Sequence, residues 1–210
     1  MSRASFPLRV LRFTAQMFPI YPNQIAIFGG FILNALVIGR LFLNCPVPST
    51  LLVCGGLSQL LLVYLLRVFD EIKDYPTDLI NFPDRPLVSG VASVQDMKIL
   101  ATGVILLLFG LQIPFIGSPV PLVFFGVLAY TLLAFKWFFA EKSIRASLPL
   151  ALLTHNPIVY LYAIYTASFF TPTAPVWIFL MSDAMIGTAW ELSRKIRGTE
   201  EEDTYTTYSR

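Results

Sequence analysis

The chain has 210 residues, of which 56% are hydrophobic and only 13% charged, and its mean hydropathy is +0.68. Soluble domains carry about 25% charged residues, so this composition excludes an ordinary soluble domain and places the chain in lipid. A net charge of +2 is too mild to imply a nucleic-acid partner, and 15 prolines with 12 glycines exclude a coiled coil.

Residues 1–24 interleave Arg3, Arg9 and Arg12 with Phe6, Leu8, Val10, Leu11 and Phe13. They lack the continuous apolar core of a signal peptide and predict an amphipathic helix lying on the membrane surface. Six stretches then have the length and apolarity of a span: Ile25–Leu43, Leu51–Phe69, Ile99–Ile116, Val120–Phe139, Leu148–Phe170 and Ala174–Leu192. The expected fold is all-α: a polytopic membrane bundle of six helices over residues 25–192, with a charged loop at 70–98 and a polar tail at 193–210. Of the 15 Lys and Arg residues, all but Arg40 fall on one side of this arrangement. The excess of positive charge on the cytoplasmic side therefore puts both termini and the long loops inside, in a multi-pass inner-membrane protein.

Cys45 and Cys54 are near enough in sequence for a disulfide but read as two small apolar residues. His155 precedes Asn156 and Pro157 in the fifth stretch. Because proline removes a backbone donor and kinks a helix, His155 reads as a core histidine beside that kink.

The richest segment starts where the second span ends. Arg67, Asp70, Glu71, Lys73, Asp74, Pro76 and Asp78 follow in quick succession, and then come Asp84, Arg85, Pro86, Leu87 and Gly90. Spacings of three and four put Asp70, Glu71 and Asp74 on one helix face. Pro76 would clash with the carbonyl of Ile72, so the helix is expected to end near Tyr75, with Asp78 returning from a loop. Such a charge run is ordinarily a solvated face, with Arg67 and Lys73 as counterions. The repeated interval of four through Asp70, Asp74 and Asp78, and an arginine fixed between Asp84 and Pro86, point instead to Mg²⁺ carrying phosphate. That ion takes hard oxygen ligands and keeps several waters, so one or two carboxylates suffice. At the mouth of an apolar bundle, this chemistry fits a substrate with a charged head and a greasy tail.

With Asp70, Asp74 and Asp78 at intervals of four, followed by Arg85-Pro86-Leu87 and Gly90, the chain resembles the UbiA superfamily of intramembrane prenyltransferases. The resemblance runs from about Ile25 to the end. It implies an Mg²⁺-dependent transfer of an isoprenoid chain from its diphosphate to an aromatic or quinone-precursor acceptor. Asp70, Asp74 and Asp78 would be the catalytic metal-binding acids, with Glu71 and Glu191 as further metal ligands. Arg85 would bind diphosphate, with Lys73, Lys136, Lys142, Arg145 and Lys195 as additional substrate-binding groups.

Two features depart from the family pattern. A second acidic signature would place carboxylates at 191, 195 and 199, where this chain has Glu191, Lys195 and Thr199, followed by Glu200 to Asp203. Family members also have nine spans, so the resemblance implies three missing helices, as in a truncated copy or a short protein that closes its cavity by homo-oligomerising. Asp183, in the sixth stretch, is costly at membrane depth unless paired, protonated or wetted. The competing reading is an inactive or truncated membrane protein that keeps the first motif as structure only. A transporter is disfavoured by the lack of internal repeats, and a membrane alcohol phosphotransferase by the lack of any Asp-Gly pair.

Overall fold

The computed structural model describes residues 4–193 and Ile196. Among the described residues the chain is helical with no strand. It forms two compact units, one from the N-terminus to Val37 with Pro46–Ile116, the other from Ile38–Cys45 with the chain beyond Gly117.

In the first unit, α1 (Phe6–Met17) buries Phe13 and leaves Leu11 exposed, as the interleaved pattern of arginines and apolar residues predicts. After a π-helical stretch at Ile20–Gln24 comes α2 (Ile25–Leu36), and a second such stretch, Val37–Phe42, carries the chain into the other unit. Helix α3 (Gly56–Asn81) extends the π-helical turn Leu51–Gly55, and α4 (Val94–Gln112) continues through a short 3-10 turn to Phe115. Among the described residues, three continuous helical stretches are long and apolar enough to cross a membrane: Ile20–Phe42, Leu51–Asn81 and Val94–Phe115.

α3 packs against both α2 and α4. Its first residue, Gly56, lies so close to α2 that a Cβ there would fall 2.8 Å from the Phe28 ring. Against α4, the buried Gln112 side chain donates to Ser58 Oγ at 3.0 Å, which satisfies two polar groups that burial would otherwise penalise.

The sequence expectation of a helix ending near Tyr75 is corrected here: α3 runs on through Pro76 to Asn81. Proline removes one amide donor, but the turn after it has its own bonds. The Phe82 amide donates to the Asp78 carbonyl at 2.9 Å, and Asn81 Nδ2 donates to the Thr77 carbonyl at 3.2 Å. Asp70, Asp74 and Asp78 therefore all lie on one helix.

α4 starts at a capping box. The Asp96 amide donates to Ser93 Oγ at 3.1 Å, and the Ser93 amide donates back to Asp96 Oδ2 at 2.9 Å, so two donors left over at the helix start are both satisfied. The same carboxylate clamps α1 in a fork: Arg9 Nε donates to Asp96 Oδ2 at 2.8 Å and Nη2 to Oδ1 at 2.6 Å. This bidentate bond favours the charged guanidinium and raises the Arg9 pKa above its ordinary value.

The second unit holds α5 (Val120–Phe135), α6 (Glu141–Arg145), α7 (Leu148–His155), α8 (Pro157–Ala167) and α9 (Ala174–Ser193). α5 stops four residues before the expected limit at Phe139. Trp137, Phe138 and Phe139 all have positive φ, from 48° to 57°, a left-handed turn that a right-handed helix of L-residues cannot continue. The expected Leu148–Phe170 helix is divided at Asn156, where Pro157 begins α8. Ala163 and Ala167 on α8 meet Leu180 and Ala184 on α9, around Ile38, and Gly187 sits against Val159. Small residues on both faces allow this close approach.

Replacing Ser93 with Ala removes the α4 cap and is expected to cost about 1 kcal/mol, read as a lowered midpoint in thermal denaturation of the detergent-solubilised chain.

Candidate functional site

The charged segment of α3 and the loop after it form the densest cluster of ionisable groups in the first unit. On a 3.6-residue helix, Arg67, Glu71, Asp74 and Asp78 follow at spacings of four, three and four and share a stripe. The loop beyond Asn81 folds back onto that stripe. The Arg85 amide donates to the Phe82 carbonyl at 3.1 Å, the Ser89 amide to the Arg85 carbonyl at 2.8 Å and the Ala92 amide to the Pro86 carbonyl at 3.1 Å. Gly90 takes φ +78° in the turn, a conformation open to glycine at little cost. Pro86 and Leu87 are buried, which anchors the loop on its apolar side and directs Arg85 at the helix.

Arg85 Nη1 reaches Asp78 Oδ2 at 3.0 Å and Glu71 Oε1 at 3.3 Å. Arg67 Nη2 donates to the same Glu71 oxygen at 2.6 Å. One carboxylate oxygen, on a residue only 1% exposed, thus accepts from two guanidinium groups whose side chains are each 28% exposed. The Arg85 guanidinium also lies over the Phe82 ring, 4.9 Å from its centroid. Arg85 lines a cavity of about 440 Å³ with Gln16 and Met17 of α1 and residues 81–86 of the loop.

Asp70 and Asp74 are held differently. Asp70 is 44% exposed at its side chain and pairs with Lys73 at 2.9 Å, and Asp74 is half-buried one turn further on. The donor set is oxygen only, as Mg²⁺ prefers, and two accessible carboxylates one turn apart fit an ion that completes its shell with water and phosphate oxygens. Asp70 and Asp74 therefore fit. Glu71 and Asp78 are engaged by arginines, and among the described residues no group of three or more His, Cys, Asp or Glu side chains is placed to hold a metal.

The other expected site residues belong to the second unit. Lys136 lies over the Phe135 ring at 5.1 Å, and Lys142 is exposed on α6. Arg145 pairs with Glu141 at 2.9 Å and stacks over Trp137 at 4.5 Å. Glu191 is half-buried near the end of α9, Asp183 lies on an exposed side of that helix, and Lys195 falls outside the described residues. His155 packs edge-on against Trp137 and Phe138, with Nδ1 3.1 Å from the Ala151 carbonyl, which suits a core histidine beside a kink. Both cysteines are free.

Sequence reasoning treated Arg67 as a counterion, passed over Asp96 and did not separate the inward from the outward acids. The Ser93-to-Asp96 interval of a capping box was a usable signal for Asp96. No protein-family model, curated protein or solved structure matches the chain.

The division between the acids has a measurable consequence. Glu71→Ala leaves two guanidinium groups without their shared acceptor, and because both are partly screened by solvent the expected loss of stability is about 1–3 kcal/mol. Asp70→Ala removes a half-exposed acid that makes a single ion pair with Lys73 and should cost less than Glu71→Ala, about 1 kcal/mol. Thermal denaturation of the two variants side by side reads the contrast.

Proposed function

We propose that the chain is a UbiA-like prenyltransferase that moves an isoprenoid chain from its diphosphate to an aromatic or quinone-precursor acceptor, inside a membrane and with Mg²⁺. The observation that carries this reading is the return of Arg85 onto the acidic stripe of α3, beside two accessible carboxylates. Arg85 meets Glu71 and Asp78 on the helix that also carries Asp70 and Asp74, at the end of a stretch long and apolar enough to span a bilayer, which supports a role in binding phosphate beside a metal.

In this reading Asp70 and Asp74 hold the metal, and Arg85 and Lys73 receive the diphosphate. The bound ion supplies Lewis-acid stabilisation of charge on the departing oxygen. Arg85 adds a planar fork of donors matched to phosphoryl oxygens. When the C–O bond of the allylic diphosphate breaks, the electron pair leaves with the diphosphate. The allylic cation is then taken up by an electron-rich ring carbon, and that carbon's proton passes to the released diphosphate. The apolar spans keep water, the competing nucleophile, away from the cation.

The reading also carries a topology. The chain crosses six times with both termini cytoplasmic, α7 and α8 act together as one kinked span, and α1 lies at the interface. The six crossings rest on the apolar stretches and on the one-sided distribution of Lys and Arg.

One observation favours the other reading, a non-catalytic membrane protein. Glu71, Asp78 and Asp70 all have protein cations as partners, so the motif can be held together without a metal. The two readings separate on Mg²⁺ dependence. Asp74→Ala is expected to abolish Mg²⁺-dependent release of diphosphate from geranyl diphosphate or its longer homologues, with turnover falling by about a hundredfold or more. A wild-type chain that neither binds nor turns over these donors with Mg²⁺ supports the structural reading.

A further inference from the structure

We infer that Arg67 is a second diphosphate-binding residue acting with Arg85, and that Glu71 and Asp78 hold the two guanidinium groups in place instead of binding metal; the inference rests on the reading of the site as one that handles a prenyl diphosphate. Two guanidinium groups repel, and they sit together here because Glu71 Oε1 accepts from both, at 2.6 Å from Arg67 and 3.3 Å from Arg85. Asp78 Oδ2 accepts from the same Arg85 nitrogen at 3.0 Å.

Among the described residues, Arg67 donates only through Nη2 and Arg85 only through Nη1. A guanidinium has five N–H donors in a fixed fork; Arg67 Nε is buried without a partner, so Arg67 has its terminal N–H groups to offer, while Arg85 keeps Nε and Nη2, and both positions are fixed by the shared acid. Both side chains remain partly exposed. Two pre-positioned guanidinium groups suit the two phosphoryl groups of a diphosphate, Arg67 donating through its terminal nitrogens and Arg85 through its planar fork.

The same geometry argues against Glu71 as a metal ligand, because a divalent cation approaching it would meet two guanidinium charges within hydrogen-bonding distance of the same oxygen. The carboxylates left for metal are Asp70 and Asp74. Asp74 lies on the stripe that also carries Arg67, so metal and guanidinium groups can engage one diphosphate from adjacent turns.

The test uses the full chain in detergent or nanodiscs, with inorganic diphosphate and Mg²⁺ in calorimetric titrations and Mn²⁺ alone as a paramagnetic probe of the metal site. Arg67→Gln and Glu71→Gln are each expected to weaken diphosphate binding by about tenfold or more, while Mn²⁺ binding without diphosphate stays at the wild-type level. Asp74→Asn is expected to lose Mn²⁺ binding. Arg67→Lys keeps the charge facing Glu71 and guards against a folding defect in Arg67→Gln. It should still weaken diphosphate binding, by about threefold, because an ammonium lacks the fork. Glu71→Asp should recover part of the affinity that Glu71→Gln loses. Loss of Mn²⁺ binding in Glu71→Gln would identify Glu71 as a metal ligand and overturn the inference, as would wild-type diphosphate affinity in both Arg67 variants. A wild-type chain that binds neither probe overturns the prenyl diphosphate reading itself, and this inference with it.

Discussion

The shared oxygen of Glu71 is the contact on which the charged end of α3 depends. Burying a carboxylate is unfavourable unless its charge is met, and here two arginines meet it through Oε1, one from the preceding turn and one from a loop fourteen residues away, while Oε2 is buried without a hydrogen-bond partner. That long-range bond ties the loop at 82–93 to the helix it follows. It also gives the turn beyond Pro76 a reason to persist, since Asp78 faces Arg85 only if α3 continues past the proline. The loop in turn delivers Ser93 and Asp96 to the start of α4, and Asp96 reaches Arg9 on α1. A chain of charge-assisted contacts therefore runs from α3 through the loop to α4 and α1, all at one end of three apolar helices.

That linkage explains what could be read in advance. Apolar runs reveal where helices lie because burying or lipid-facing side chains must be apolar over about twenty residues, and α2, α3 and α4 came out where such runs predict. The kink at Asn156 follows from proline chemistry alone. Two of the boundaries that moved were set by tertiary contacts. Pro76 is a local argument for ending a helix, and it was outweighed by an ion pair whose second member lies beyond the helix. The early end of α5 comes from the left-handed turn at Trp137 to Phe139, where Trp137 packs on His155 and Phe138 on both His155 and Tyr130, partners that periodicity does not reveal.

The candidate site divides in the same way. Intervals of three and four identify acids that share a helix face, and that much is legible without coordinates. They cannot say which acids look inward. Glu71 and Asp78 differ by seven positions and so point the same way, toward the returning loop, whereas Asp70 is displaced around the helix toward solvent and Lys73. Arg67 looked like one more counterion because its neighbour at four residues is an acid, an arrangement common on any solvated helix. Only the position of Arg85 shows that the acid is shared.

Four carboxylates between Asp70 and Asp78 on one helix repel one another unless each charge is met. Glu71 and Asp78 are met by arginines, and through Arg85 they fix the loop. Asp70 is met by Lys73, whose side chain is only 9% exposed, so this pair too belongs to the packed end of the helix. The load is uneven on Glu71 itself: one oxygen takes both guanidinium groups while Oε2 is buried without a hydrogen-bond partner. Removing either arginine would therefore leave a buried carboxylate still less well met, which costs more than the loss of a solvent-exposed pair.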